Sequence, residues 1–247
     1  MKTILITGCS SGFGLETARY FLERDWNVIA TMRTPRADVL PPSGRLRIIA
    51  LDIADAHSIA QAIGAAGPID VLVNNAGIGV LAALEGTTMT TAREVFDTNT
   101  LGTIAMTQAV LPQFRQRKAG VIVNVTSSVT YEPLPLLSVY TASKAAVNAF
   151  TESLALELAP FNVRARLVLP GRAPETRFGE NARPRMEGAI PEAYAELAQR
   201  VFAGWSESPA VTLAQDVAEA VWRAATDPAT PMQIAAGADA LALAGSR

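Results

Sequence analysis

The segment TILITGCSSGFGLETARYFLER, residues 3–24, gives the strongest local indication of the fold. Its first five residues resemble a buried strand, and a turn with Gly8, Gly12 and Gly14 leads from it into a helical pattern. Glycines permit a sharp turn and a close approach of phosphate, and a helix N-terminus offers free N–H groups to an anion. The segment therefore predicts a strand–turn–helix unit that binds a pyrophosphate, with a tight turn that binds no ligand as the alternative.

Further β-rich runs follow this unit, and helical patterns separate them. We predict strands at 3–7, 26–31, 46–51, 69–73, 120–126 and 163–168, and helices at 12–24, 55–66, 90–118, 138–160 and 213–227. Several of the strands are apolar on both faces, as in a parallel sheet that helices cover. We therefore expect residues 1–247 to form a single α/β domain. Its sheet should be Rossmann-type and doubly wound, mostly or wholly parallel, with about seven strands and helices on both faces.

The segment 171–209 interrupts this alternation. It is rich in proline, arginine and glutamate, and aromatic residues are scattered through it. It follows the carboxyl end of a predicted strand, where open α/β sheets bind their ligands. We interpret it as a substrate-binding lid, and an ordinary surface excursion is the alternative.

The composition excludes several classes of function. The 247 residues include 21 Lys and Arg against 23 Asp and Glu, so the chain lacks the basic field of a nucleic-acid binder. One cysteine, Cys9, excludes an internal disulfide framework, and one histidine, His57, makes a Cys/His zinc site implausible, so we expect no metal. Neither a signal peptide nor an apolar run of about 18 residues occurs, so we expect no membrane span and a cytoplasmic location.

The end of the second predicted strand indicates which dinucleotide would bind. Sites that prefer NAD usually present a carboxylate there to the ribose 2′-hydroxyl, whereas an arginine can receive the 2′-phosphate of NADP. The sequence ATMRTP, residues 30–35, offers Arg33 and no acid before Asp38. We therefore expect NADP(H) to be preferred and NAD(H) to be possible, with a solvated arginine as the alternative.

Five motifs in order carry a resemblance to a known family: TGCSSGFG (7–14), NNAG (74–77), NTLG (99–102), NVTSS (124–128) and YTASK (140–144). With them the chain resembles the short-chain dehydrogenase/reductase family over essentially its whole length. It looks closest to the NADP-preferring members that act on hydroxysteroids and similar apolar ketones. The resemblance implies hydride transfer between a nicotinamide cofactor and a secondary alcohol, ketone or aldehyde.

The resemblance also implies a set of site residues. The catalytic residues would be Asn99, Ser127, Tyr140 and Lys144; the family spacing of thirteen residues before the tyrosine selects Ser127 over Ser128. The cofactor would contact Gly8, Ser10, Ser11, Gly12, Phe13, Gly14, Arg33, Asp52, Ile53, Asn75, Ala76, Gly77, Tyr140, Lys144, Pro170, Gly171 and Thr176. The family threonine five positions after the proline is replaced by Glu175, so Thr176 would take its place.

These residue types suit proton transfer to or from the reacting oxygen. A tyrosine with a pKa of about 10 is a poor base at neutral pH, and a nearby cation favours its ionised form. Tyr140 and Lys144 lie four residues apart and hence on one helix face, so we expect Lys144 to lower the pKa of Tyr140 and to bind the nicotinamide ribose. Ser127 would polarise the substrate carbonyl. From the resemblance alone, Asn99 would position a water that links Lys144 to solvent.

Two alternatives to such an enzyme stay open at this stage. One is a non-catalytic NADP(H)-binding regulatory module of the same fold, although such proteins typically lose the tyrosine or the lysine. The other is an epimerase or dehydratase of sugar nucleotides, whose relatives have a differently spaced glycine turn. The many Ala and Leu residues of the helix at 138–160 also predict a homodimer or homotetramer, because family members commonly pair such helices.

Overall fold

A computed structural model of the protein describes residues 1–207 and 209–245. Within them seven strands form one sheet in the order β3-β2-β1-β4-β5-β6-β7, and every neighbouring pair is parallel. The strands are β1 Thr3–Ile6, β2 Asn27–Met32, β3 Leu46–Ala50, β4 Val71–Asn74, β5 Gly120–Val125, β6 Val163–Pro170 and β7 Gln233–Ala236. This confirms the predicted sheet of about seven strands, expected to be mostly or wholly parallel, and shows that it is wholly parallel. Residue 208 of the predicted lid and residues 246–247 of the predicted domain lie outside the described residues.

Helices cover the sheet on both sides. Those in the described part of the chain are α1 Gly12–Leu22, α2 Ala56–Ala66, α3 Met89–Phe96, α4 Gly102–Arg117, α5 Ser138–Leu158, α6 Phe178–Ala182, α7 Ala195–Glu207, α8 Ala214–Thr226 and α9 Ala238–Gly245. None of these helices combines the length and the apolar character that a membrane crossing requires. The short helix α6 and the longer helix α7 both lie in the segment predicted as a lid.

The alternation of side chains along the strands divides the core into two layers. In β1, Ile4 and Ile6 point to the layer that α1 and α8 cover, whereas Leu5 points to the layer of α2, α4 and α5. All three side chains are fully buried. β1 therefore reads as an apolar run because both faces of the sheet are covered there.

Four buried polar side chains connect the centre of the sheet to two helices. The Asn74 amide of β4 donates to Thr107 of α4 (3.1 Å) and to Asn124 of β5 (2.8 Å). Asn124 in turn donates to Thr151 of α5 at 2.7 Å. Hydrogen bonds in the interior fix the groups they join, so this network sets where α4 and α5 lie relative to the ends of β4 and β5.

Several features differ from the sequence prediction: α6, α7 and α9 were not among the predicted helices, one predicted helix is divided, and one strand is additional. The single helix expected at 90–118 is divided, because a π-helical turn at Asp97–Leu101 lies between α3 and α4. At this break Gly102 approaches the β3–α2 loop so closely that an added Cβ would lie 2.9 Å from the Ile53 carbonyl oxygen. The strand β7 was not among the predicted strands, because its sequence QIAA contains only one residue with a strong preference for strands.

Candidate active site

The predicted site residues gather at one edge of the sheet. In a parallel sheet all carboxyl ends of the strands lie on the same side, so the loops after β1, β4, β5 and β6 are neighbours. These loops carry the glycine turn, the NNAG motif, the TSS motif and the residues after Pro170. The α5 helix brings Tyr140 and Lys144 to the same edge.

The glycine turn has the geometry of an anion-binding site. Gly8 and Gly12 have φ angles of 75° and 57°, in the left-handed region that glycine adopts without strain. A Cβ on Gly14 would overlap the Gly8 carbonyl and lie 2.5 Å from Asn75 Nδ2, so the turn is compact. Ser11 precedes α1 without capping it, and the first turn of α1 contains no acidic residue. The N–H groups of this helix end are therefore available to a phosphate.

Thr7 joins the glycine turn to the NNAG motif. Its hydroxyl accepts hydrogen bonds from the backbone N–H groups of Asn75 and Ala76, both at 3.0 Å. The Asn75 amide returns a hydrogen bond to the Thr7 carbonyl at 2.9 Å. The sequence analysis did not assign Thr7 to the site. The signal for it is a hydroxyl side chain at the end of an otherwise apolar strand, directly before Gly8.

Two arginines lie in the loop after β2. Arg33 is exposed at the end of the strand, as predicted from the sequence. Arg36, which the sequence analysis did not select, donates from Nη2 to the Ser10 carbonyl at 2.9 Å and so reaches the glycine turn. The signal for Arg36 was a second basic residue before the first acid, Asp38, in the same loop.

Asp52 and Ile53 follow β3 at the same edge. The Asp52 carboxylate accepts the Ala54 N–H at 3.0 Å, and its own N–H donates to Ser58 at 2.9 Å. Ile53 is buried against Gly102, at the start of α4. The structure thus places both residues in a fixed loop at this edge of the sheet.

The catalytic candidates on β5 and α5 are buried together. Lys144 donates from Nζ to the carbonyl of Val125, the last residue of β5, at 3.1 Å. The same Nζ lies 5.9 Å from the centroid of the Tyr140 ring. The Tyr140 hydroxyl is hydrogen-bonded to Ser127. The serine selected by the family spacing is therefore the one in contact with the tyrosine.

The protonation of this pair differs from the expectation. Burial raises the pKa of Tyr140 to about 12, and the hydrogen bond with Ser127 opposes that rise only in part. Burial also lowers the pKa of Lys144 to about 8. The prediction that Lys144 lowers the pKa of Tyr140 is wrong, because loss of solvent disfavours the charged form of both groups and dominates the pKa of the tyrosine.

Asn99 lies in the π-helical turn, and its amide is fully engaged by the protein. Its Oδ1 accepts the Ile78 N–H at 2.8 Å, and its Nδ2 donates to the Ile78 carbonyl at 2.9 Å. Nδ2 also donates to Ser143 at 3.0 Å, and Ser143 donates to the Tyr140 carbonyl at 2.7 Å. Asn99 therefore fixes the loop after NNAG against α5, and its role in positioning a water stays a prediction. Ser143 was not selected from the sequence.

Gly77 keeps the space beside the lysine open. A Cβ added at Gly77 would lie 3.3 Å from Lys144 Nζ and 3.2 Å from Asn99 Oδ1. These three residues, which are far apart in sequence, therefore meet at one point.

The turn after β6 is fixed by the C-terminal part of the chain. Pro170 ends the strand, and the Gly171 N–H donates to Thr212 Oγ1 at 2.9 Å. The carboxylate of Asp239 accepts the Arg172 N–H at 2.6 Å and contacts Thr212 Oγ1 at 2.7 Å. These bonds hold the backbone of the turn at the edge of the sheet. Thr212 and Asp239 were not selected from the sequence.

Thr176, the expected substitute for the family threonine, faces the glycine turn. Its Cβ lies 3.4 Å from the position that a Cβ on Gly12 would take, whereas Glu175 is exposed. Its hydroxyl contacts the Ala173 carbonyl at 2.9 Å. The structure thus brings Thr176 to the site.

The predicted lid packs on the loops around Tyr140 through apolar side chains. Leu81 and Leu136 of the neighbouring loops form one cluster with lid residues that include Leu197, Val201 and Trp205. Polar bonds add to it: Tyr194 donates to Glu85 at 3.0 Å, and Arg185 pairs with Glu94 at 2.5 Å. The described part of the segment therefore lies against the body of the domain.

Comparison with known proteins identifies relatives for most of the chain. The family model described as short chain dehydrogenase matches residues 2–187. Retinol dehydrogenase 8 of Bos taurus is 39% identical over 184 residues, which cover 69% of this chain and 58% of that protein. Estradiol 17-beta-dehydrogenase 1 of Rattus norvegicus is 38% identical over 233 residues, which cover 87% of this chain and 67% of that protein.

Solved structures match the fold over nearly the whole chain. A short-chain dehydrogenase from Streptomyces avermitilis superposes with a TM-score of 0.82 at 31% identity, covering 100% of this chain and 92% of that one. A short chain dehydrogenase from Burkholderia cenocepacia in complex with NADP gives 0.79 at 26% identity, covering 100% and 94%. A 3-ketoacyl-(acyl-carrier-protein) reductase from Brucella melitensis complexed with NADH gives 0.78 at 25% identity, covering 95% and 96%. Together with the site at the carboxyl edge of the sheet, these matches establish that the chain belongs to the short-chain dehydrogenase/reductase family.

Proposed function

We propose that the protein is an NADP(H)-dependent oxidoreductase that interconverts a secondary alcohol and a ketone or aldehyde. The observation that carries the proposal is the burial of Ser127, Tyr140 and Lys144 in one cluster at the edge of the sheet that holds the glycine turn. Because the cluster retains both the tyrosine and the lysine, we prefer an enzyme over a non-catalytic binding module.

The residues around the glycine turn fit a nicotinamide dinucleotide. The turn offers left-handed glycines and an N-terminus of α1 that no side chain caps, and the cation of Arg36 lies beside it. This combination suits an anionic diphosphate. We propose that the groups predicted from the sequence hold the cofactor, and that Arg36 joins Arg33 at the ribose 2′-phosphate. When bound, the cofactor would supply or accept the hydride.

The catalytic residues would handle the proton. With a pKa of about 12, Tyr140 keeps its proton at neutral pH and can donate it to a carbonyl oxygen. Ser127 would hold that oxygen through a hydrogen bond. The ammonium of Lys144 would stabilise the tyrosinate that remains, and in oxidation the same groups would act in reverse.

The substrate is proposed to be an apolar carbonyl compound or alcohol. The lid contributes aliphatic and aromatic side chains beside the loops around Tyr140, as in the cluster with Leu197, Val201 and Trp205. Apolar pockets with few polar groups bind apolar ligands. The names of two relatives, a retinol and an estradiol dehydrogenase, refer to substrates of this kind. A cytoplasmic location stays a prediction.

We further propose a homodimer or homotetramer that forms through α4 and α5. A groove of about 330 Å³ between these helices includes Ile104, Leu111 and Phe150 among its lining residues. Leu156, also on α5, is 78% exposed, and such an exposed leucine suits contact with a second copy.

Light scattering at micromolar concentration should therefore give two or four times the mass of one chain. Leu156→Glu would place a charge in the apolar contact and should shift the distribution towards monomer. Leu213→Glu, at a position 45% exposed outside these helices, is the matched control and should leave the mass unchanged. A wild-type protein that is entirely monomeric would refute the assembly.

Replacing the proton donor tests the reaction itself. Tyr140→Phe removes the hydroxyl and should lower kcat for NADPH-dependent carbonyl reduction by at least about 10²-fold, while NADPH still binds. The measurement combines absorbance at the NADPH band with fluorescence titration of the cofactor. Tyr20→Phe, on α1 next to Trp222, is the control and should retain activity. Full activity of Tyr140→Phe would rule out the mechanism.

The state of Lys144 predicts a pH dependence. Since burial sets its pKa at about 8, the ammonium is present below that pH and lost above it. We expect kcat/KM, measured with NADPH as the varied substrate, to be level below pH 7 and to fall as the pH rises through about 8. In Lys144→Arg, which keeps its charge, any remaining activity should persist to higher pH. A level profile up to pH 10 in the wild type would contradict this role.

Cofactor preference tests the two arginines after β2. If Arg33 and Arg36 contact the 2′-phosphate, replacing either by alanine should raise the KM for NADPH about tenfold and leave that for NADH nearly unchanged. Arg115→Ala, in the last turn of α4, serves as the control. Equal KM values for NADPH and NADH in the wild type would show that the expected preference is wrong.

A further inference from the structure

A phenylalanine from the lid covers the tyrosine of the site. Phe178, the first residue of α6, packs against Tyr140 edge to face, with 5.8 Å between ring centroids and an interplanar angle of 61°. Tyr140 is only 8% exposed, although its hydroxyl must reach the reacting oxygen. Phe178 itself is 41% exposed, so its ring lies at the surface between solvent and Tyr140.

The body of the domain provides a notch for this ring at Gly79. A Cβ added at Gly79 would lie 2.7 Å from Cε1 and 2.8 Å from Cζ of Phe178, closer than side chains approach one another. The ring edge therefore occupies the space that any other residue at position 79 would fill. The φ angle of Gly79 is not in the left-handed region, so backbone conformation does not require a glycine here, and a larger residue would displace the Phe178 ring.

The chain between the two proposed subsites is short. Thr176 faces the glycine turn at Gly12, and two residues later Phe178 contacts Tyr140. The N–H of Phe178 is 3.4 Å from the Thr176 hydroxyl. The contacts of Thr176 therefore hold the backbone next to Phe178 close to the cofactor site, which limits how far the Phe178 ring can move.

We propose that Phe178 is the residue that determines which carbonyl compounds reach Tyr140, and that Gly79 holds its ring in that position. This inference rests on the proposed function. In it, a compact substrate passes beside the seated ring, whereas a substrate with a bulky ring system next to its carbonyl must displace Phe178 from the notch. Moving the ring costs free energy, which lowers kcat/KM for bulky substrates. This cost sets the preference for compact over bulky substrates.

The experiment compares two ketones, ethyl acetoacetate and 2-decalone, in wild type, Phe178→Ala, Gly79→Ala and the double variant. Removal of the ring opens the space above Tyr140, so Phe178→Ala should raise the ratio of kcat/KM for 2-decalone over ethyl acetoacetate at least about tenfold. Gly79→Ala should change this ratio when Phe178 is present and have no effect in the Phe178→Ala background, because its methyl group meets only that ring at short range.

Two controls separate this effect from general loosening of the lid. Gly179→Ala adds a methyl group next to Phe178 where no atom lies within 4 Å, and should keep the wild-type ratio. Phe202→Ala removes a ring of the same 41% exposure from α7, packed on Trp205, and should also keep it. Thermal unfolding of the four proteins gives the coupling between positions 79 and 178 independently of activity.

Each other result overturns the inference. Additive effects of the two substitutions on thermal unfolding would show that the ring does not occupy the notch. Coupled stability with an unchanged ratio of kcat/KM would show that Phe178 does not govern access. In both cases an active wild type leaves the proposed function intact. A wild type that reduces neither ketone nor any other carbonyl compound with NADPH or NADH overturns the proposed function and this inference together.

Discussion

The site depends on one interaction in the interior, the hydrogen bond from Lys144 to the carbonyl of Val125. A buried ammonium without a partner is strongly unfavourable, so this bond fixes where the amine lies relative to the end of β5. The helix α5 then determines the position of Tyr140, because this residue lies one turn earlier on the same face. Gly77 leaves room for the amine from the opposite side.

Around that bond the protein uses short polar contacts to join loops that are distant in sequence. Thr7 connects the glycine turn to the loop after β4, and Asn99 connects that loop to α5. Asp239 and Thr212 do the same for the turn after β6. Most of these contacts satisfy backbone groups in the loops after the strands, where the regular hydrogen-bond pattern has stopped. The loops that would bind cofactor and substrate are thus held without extra secondary structure.

The proposed chemistry follows from burial as much as from charge. The same loss of solvent that keeps a proton on Tyr140 brings the pKa of Lys144 to about 8, close to the neutral range. The cluster therefore differs from the simple picture of a cation that acidifies a phenol. The burial of Tyr140 also depends on the side chain that shields it from solvent, the Phe178 ring packed against Gly79.

The parallel α/β sheet and most of the candidate site could be predicted from the sequence, because apolar runs, the glycine turn and the YTASK helix are local patterns. The 140–144 spacing sufficed to place Tyr140 and Lys144 on one helix face, whereas Ser127 was related to them only through the resemblance to the family. Only the tertiary structure revealed Arg36 on the Ser10 carbonyl, the π-helical turn at Asp97–Leu101 and the raised pKa of Tyr140. It also brought Phe178 onto Gly79, a pair separated by about a hundred positions. Burial and contacts between distant segments depend on how the whole chain packs, and no local pattern encodes them.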